Sequence, residues 1–258
     1  MISFGTRALG EQRRRPLDLM NDVFYKGEWM ETDTNPLFSP TVFLAEQPPN
    51  RELLPHFHRQ NQFQLFVEGR GTIGKQEIGP ITVHYAGAYT GYGPLLSDSH
   101  GLKYFTIRAV YDTGVTLSTD WRGNMIRGPK RHAEASAGEP WSTDRLSALI
   151  EAKHENTIAP SGGLGAVKTR IPPAQAVTLA PIDSSIGQFI FVLAGEVAIG
   201  GVTLTPWESV FVPSADGAAR VVAGSKGAEV IALPCRIPPR NIYPLDAGKY
   251  NIHYLDIP

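Results

Sequence analysis

The stretch Gln62-Phe63-Gln64-Leu65-Phe66-Val67-Glu68-Gly69-Arg70-Gly71-Thr72-Ile73-Gly74 returns in altered form as Gln188-Phe189-Ile190-Phe191-Val192-Leu193-Ala194-Gly195-Glu196-Val197-Ala198-Ile199-Gly200. The offset, 188 − 62 = 126, is close to half of the 258-residue chain, and 5 of the 13 columns are identical. A repeat of this size means two copies of one folding unit. Ile81-Thr82-Val83 is matched to Val202-Thr203-Leu204, which gives the first copy about five extra residues in a hairpin at 75–80. Gly (26) and Pro (21) punctuate short apolar runs throughout. Runs of about 5 residues with turns every ~8–12 predict an all-β sandwich or barrel.

Along the chain, residues 1 to about 40 read as polar and irregular, with Asp18 to Val23 a short helical turn or an arm. Strands are predicted at Val42–Ala45, Leu53–His58, Phe63–Val67, Ile81–Tyr85, Ala88–Thr90 and Leu102–Ile107. Residues 112 to 163 read as a connecting segment whose one short helix starts at Ser142-Thr143-Asp144. The strand pattern resumes from Gly165 and runs to Leu233. The division expected is therefore an N-terminal arm and first barrel (1–111), a connector (112–163), and a second barrel with its tail (164–258). The tail is too apolar to hang in solvent and is expected to dock on a barrel or a partner chain.

His56 and His58 stand two residues apart in a predicted strand, so their side chains share one face and can reach one metal ion. Four residues after His58 comes Gln62, and Gly69 follows seven further on. This pattern resembles the first motif of the cupin family, with Gln62 where the family usually has Glu. Trp207-Glu208-Ser209-Val210-Phe211-Val212-Pro213 resembles the second. The resemblance covers about 42–110 and 164–235 and implies a bicupin: two tandem jelly-roll (double-stranded β-helix) barrels, each with a pocket in its mouth. It also implies a metal held by three histidines and one acidic residue. Aligning Tyr92 with Pro213 puts the last ligand near Ser97, with Asp98 and His100 beside it; His100 is preferred. The ligand set expected is thus His56, His58, Gln62 and His100 for one divalent ion (Fe, Mn, Ni or Zn), set against a first barrel that kept its histidines and lost its metal. In the second copy Ile182, Ser184, Gln188 and Ala218 fill the corresponding places, and no ligand set survives. Tyr89, Tyr92, Tyr104 and Arg108 are candidates to line the first pocket, with packing as the alternative. His84 reads as a packed or surface residue, and His132, His154 and His253 as solvated.

A formal net charge of −1 argues against a nucleic-acid or anionic-membrane surface, and Arg13-Arg14-Arg15 reads as a solvated arm. Cys235 is a single cysteine, expected as a small buried hydrophobe. There is no signal-peptide pattern, spanning segment, nucleotide or flavin motif, which points to a cytoplasmic protein. Two functions fit. One is a metal-dependent enzyme on a small substrate, of oxygenase (dioxygenase-like), decarboxylase or isomerase type. The other is a non-catalytic ligand-binding, sensing or scaffold bicupin. A homodimer is expected because barrel edges invite pairing.

Overall fold

The computed structural model describes residues 2–19, 22–31, 38–112, 114–120, 124–125, 130–181 and 185–236. The tail after Arg236, and with it the docking expected there, lies outside the described residues, as do Ile182 and Ser184. In chain order the strands are β1 (Ser3–Gly5), β2 (Arg15–Leu19), β3 (Asp22–Glu31), β4 (Thr41–Gln47), β5 (Glu52–Leu53), β6 (His56–Phe57), β7 (Gln62–Ile73), β8 (Gln76–Ile78), β9 (Thr82–Ala86), β10 (Leu95–Arg108), β11 (Thr116–Leu117) and β12 (His132–Ser136). They continue with β13 (Lys153–Ser161), β14 (Leu164–Ile171), β15 (Ala176–Leu179), β16 (Gly187–Ile199), β17 (Val202–Leu204), β18 (Ser209–Pro213) and β19 (Ala219–Cys235). Two short helices, α1 (Arg7–Gln12) and α2 (Thr143–Ser147), are capped by the side chains of Thr6 and Ser142. The helix predicted at Ser142 is therefore present, whereas Asp18 and Val23 belong to a β-hairpin and Ala88–Thr90 to a turn. The arginine run at 13–15 is pinned to that hairpin's sheet: Arg14 bonds Glu46 and lies over Tyr25, and Arg15 pairs with Glu28.

The strands form two antiparallel jelly-roll barrels. The first has the order β12-β9-β7-β10-β4-β3-β2, with β5 on β10 and β8 on β7; the second has β1-β18-β16-β19-β14-β13, with β15 on β19 and β17 on β16. The N-terminal β1 thus completes the second barrel, and β12 from the connector completes the first.

Strand register makes the repeat stricter than the sequence shows. Gln62 faces Ala86 and Gln188 faces Val212; Phe63 faces Ile107 and Phe189 faces Leu233; Thr72 faces Leu96 and Ala198 faces Val222. Ile73 faces Gln76 and Ile199 faces Val202. Every one of these residues is 126 positions from its counterpart. The expected five-residue insertion at 75–80 does not exist: β8 corresponds to β17, and β9 to β18.

Side chains alternate across each strand. Phe63, Leu65, Val83, Phe105 and Ile107 of the first barrel pack with Phe189, Phe191, Phe211 and Leu233 of the second in one core between the barrels. The opposite face points into each barrel. In the second barrel that face is mostly apolar, with Ile190, Val192, Val210, Val212 and Val230, and Gln188 is the buried polar counterpart of Gln62. In the first it includes Gln62, Gln64, His84, Thr106 and Arg108, all buried. One further constraint is shared. Gly69 (φ +79°) and Gly195 (φ +74°) sit at the bulges of β7 and β16, where a Cβ would lie 2.0 Å from Gly101 O and 2.2 Å from Gly227 O. Gly69→Ala and Gly195→Ala are each expected to lower stability by about 1–3 kcal/mol, with the strained backbone as the cause. Chemical denaturation measures this, and a neutral result at either position removes the constraint.

Candidate functional site in the first barrel

The polar interior begins at β6. His56 and Tyr92 exchange backbone hydrogen bonds (both 3.0 Å), so the histidine segment is tied to the loop ahead of β10. His56 Nδ1–H donates to Leu54 O (2.8 Å), which leaves the Nε2 lone pair to accept from the Tyr92 hydroxyl (2.8 Å). Tyr92 Oη in turn accepts from Gln62 Nε2 (2.6 Å). Gln62 Oε1 accepts from Arg108 Nε (3.1 Å) and Nη2 (2.8 Å). The guanidinium lies over the Phe43 ring at 5.5 Å, and its Nη2 is 3.0 Å from His58 Nδ1. A guanidinium can only donate, so neutral His58 turns its Nδ1 lone pair to Arg108. Asp112 closes the cluster. It accepts from the backbone N–H groups of Arg59, Gln60 and Gly114 (2.9, 3.1 and 2.8 Å) and lies 3.3 Å from His58 Nδ1.

Burial holds the His56 imidazole down at about 3, helped by its neighbour His58 and by Arg108. Burial and the Arg108 charge also lower His58, against the pull of Asp112. Burial alone would raise Asp112; the Arg108 charge and the hydrogen bond from the Gly114 backbone N–H override it and hold the carboxyl below its usual range. Burial raises the hydroxyls of Tyr92 and Tyr104. The cluster is thus a neutral hydrogen-bonded chain ending in one cation and one carboxylate.

Of the ligand set predicted from sequence, the structure brings together His56, His58 and Gln62. It does not bring His100 to them. His100 is exposed in the irregular part of β10, where its N–H donates to Asp98 Oδ1 (2.8 Å) and its ring lies 3.3 Å from Ser99 Oγ. It lines a surface groove of about 350 Å³ with Tyr25, Glu46 and Lys103. The uniform 126-residue offset gives the reason: the counterpart of Ala218 is Tyr92, so the last ligand position of the motif holds a phenol already bonded to His56 and Gln62. Tyr104 lines the same interior against Phe66. Tyr89 lies beside Phe57, and its backbone N–H donates to His58 O (2.7 Å).

A metal ion at the motif position would meet Arg108. Two unit charges about 4 Å apart repel by about 4 kcal/mol at an effective dielectric of 20, and a divalent ion doubles that. Gln62 Oε1, the amide oxygen offered to a metal, already accepts two N–H groups. The motif residues therefore fit a cation poorly in this arrangement.

A second group lies on the adjoining strands. Glu134 faces His84 across the β12–β9 pair, and His132 is two residues from Glu134 on the same face. His84 is fully buried, its Nδ1 is 2.8 Å from Gln64 Oε1, and its Nε2 is 2.8 Å from His132 Nε2. Among the described residues, this is the one group of three or more His, Cys, Asp or Glu whose ligand atoms all lie within 4.8 Å of one another. The Tyr92 ring touches both groups, 4.4 Å from the His56 ring and 4.7 Å from the His84 ring. Burial, with His132 and His56 nearby, lowers His84 to about 3; burial also lowers His132 and raises Glu134. The sequence reads His84 as a packed or surface residue and His132 as solvated. That reading misses the group because β12 lies in a segment read as a connector.

No family model matches the sequence, and no curated protein sequence matches it. Solved structures do share the fold. A dioxygenase candidate from Nostoc punctiforme superposes with a TM-score of 0.60 at 11% identity, over 92% of this chain and 79% of that one. The pirin YhhW of Escherichia coli, solved in complex with nickel(II), gives 0.56 at 12% identity, over 92% and 99%. Bacillus subtilis oxalate decarboxylase, solved in a study of its Mn(II) centres, gives 0.56 at 9% identity, over 94% and 83%. The fold of this chain is the two-barrel cupin fold.

Buried neutral histidines carry a pH signature. The unfolded chain protonates them near pH 6.5, while folded His56 and His84 stay neutral to about 3. Below pH 6.5 the unfolded state therefore binds more protons, and stability falls as pH drops, by up to about 1.4 kcal/mol per pH unit for each histidine. Denaturation midpoints between pH 6.5 and 4 should decline and flatten in His56→Asn. An unchanged slope in that variant would show that His56 is not buried neutral.

Proposed function

We propose that this protein is a small-molecule-binding bicupin that works with a divalent metal ion in its first barrel, in the manner of a dioxygenase-like enzyme. One observation carries the reading: the two barrel interiors, superposable residue by residue, have opposite character. Gln64, His84, Tyr92, Thr106 and Arg108 stand where the second barrel has Ile190, Val210, Ala218, Ala232 and Pro234. The second barrel demonstrates that this fold closes with a largely apolar lining, in which Gln188 is a buried polar group bonded to Leu179 O. Burying hydrogen-bonding and ionisable groups in place of that lining costs free energy that apolar residues avoid, and such buried groups cluster at functional sites. Structures of the same fold solved with nickel(II) or studied for their Mn(II) centres support the metal part of the proposal.

A bound divalent ion would act as a Lewis acid toward a substrate oxygen, and would also bind dioxygen if it is iron. The protein's own part is orientation. Arg108, held over Phe43 and between Gln62 and His58, offers a charged N–H edge suited to a carboxylate. Tyr104 packs in the same interior as Tyr92, whose hydroxyl is held by His56 and Gln62. A small substrate with carboxylate or hydroxyl oxygens fits these groups. The second barrel serves as scaffold. A homodimer and a cytoplasmic setting belong to the same proposal; a light-scattering mass of one chain would remove the dimer. Among the described residues no helix is long and apolar enough to cross a membrane.

A second reading, a metal-free binding module, is favoured by the Arg108–Gln62 contact, which fills the motif position without an ion. Elemental emission after loading with Mn²⁺ or Ni²⁺ and desalting separates the two. About one ion per chain is expected, together with a higher melting temperature when the ion is in excess; 100 times Kd corresponds to about 2.7 kcal/mol. Absence of ion after loading with each metal would leave the metal-free module.

A further inference from the structure

We propose that the divalent ion binds to His84 Nε2, His132 Nε2 and the Glu134 carboxylate, on the β9–β12 edge of the first barrel, and not to the motif residues His56, His58 and Gln62. This rests on the reading of the first barrel as metal-dependent and names the site within it.

Four observations converge. Strand register puts all three side chains on one face: Glu134 directly opposite His84, and His132 diagonal to it. Gln64 Oε1 accepts from His84 Nδ1–H at 2.8 Å, which fixes the tautomer and aims the Nε2 lone pair at His132 Nε2, as partners behind a metal-bound histidine do. Glu134 Oε2 is buried and has no hydrogen-bond partner, a carboxylate oxygen withdrawn from water and aimed at no protein donor. The second barrel has apolar groups in the same place: β1 pairs with β18 as β12 pairs with β9, and Phe4 faces Val210 where Glu134 faces His84. Ile2 and Phe4 pack on that barrel's apolar interior. Two imidazoles and one carboxylate leave coordination positions open for substrate, a set suited to Fe²⁺, Mn²⁺ or Ni²⁺. His132 is exposed, which gives the ion a route from solvent.

The test uses the full chain, stripped with chelator, reloaded with Mn²⁺ or Ni²⁺ and desalted, with ion content read by elemental emission and folding by circular dichroism. His132→Ala and Glu134→Gln change side chains on an edge strand and should fold. Each is expected to hold less than a tenth of the wild-type ion. His56→Ala/His58→Ala should keep about one ion per chain; if that pair fails to fold, His58→Asn alone replaces it. Wild-type loading that survives both His132→Ala and Glu134→Gln overturns this assignment, as does loss of the ion in folded His58→Asn. A wild type that takes up no ion overturns the metal-dependent reading itself, which is a separate outcome.

Discussion

Each long strand of this protein has to serve two faces at once, and one of them is committed. Residues at alternate positions of β7, β9, β10, β16, β18 and β19 build the aromatic and aliphatic core between the barrels, in which Phe105 touches Phe191 at 5.3 Å and Phe189 touches Phe211 at 4.7 Å. That core fixes register, because a one-residue slip would turn Phe63 and Leu65 inward and Gln62 and Gln64 toward the second barrel. With stability supplied by the shared wall, the inward face is left to vary. The second barrel fills it mostly with aliphatic residues, and Gln188 is a buried polar member. The first fills it with groups that are expensive to bury and must satisfy one another.

They do so as a connected network. Tyr92 is its middle, as donor to His56, acceptor from Gln62, and ring neighbour of His84. Arg108 is its electrostatic anchor, a buried cation whose neighbours Gln62 and His58 both present acceptors and whose charge Asp112 offsets. Removing one member strands its partners, because the penalty of a buried polar group left without a partner exceeds the small net gain of a made hydrogen bond.

Much of the architecture was legible in the chain. The duplicated Gln-Phe segment is long enough, and its apolar positions regular enough, to show two β units, and the His-x-His pair marked which of them carries polar chemistry. What stayed hidden was pairing between distant segments. The N-terminal stretch looks irregular because β1 and β3 pair with β18 and β4, with Phe211 opposite Ser3, and β2, among the described residues, pairs only with β3 at the sheet edge. His132 and Glu134 look like connector residues for the same reason, and only their pairing with β9 brings them to His84. The placement of the last motif ligand failed on a single matching step. Taking Ile81–Val83 as the partner of Val202–Leu204 introduced a gap, and the gap carried the search five residues past Tyr92 toward His100.

The two clusters also differ in what they ask of a cation. In the motif cluster the lone pairs point at donors: His56 Nε2 at a hydroxyl, Gln62 Oε1 and His58 Nδ1 at a guanidinium. A positive charge already occupies the position, and it is covalently part of the fold. In the β9–β12 cluster His84 Nε2 presents its lone pair to His132 Nε2 at 2.8 Å, and a buried carboxylate oxygen of Glu134 beside them has no protein donor. The first arrangement is complete without an ion and attracts an anion. The second holds two imidazole nitrogens 2.8 Å apart with one proton at most between them, a proton that a divalent cation would displace. Joined through Tyr92, they divide one barrel interior into a side that favours a cation and a side that favours the carboxylate of whatever that cation would bind.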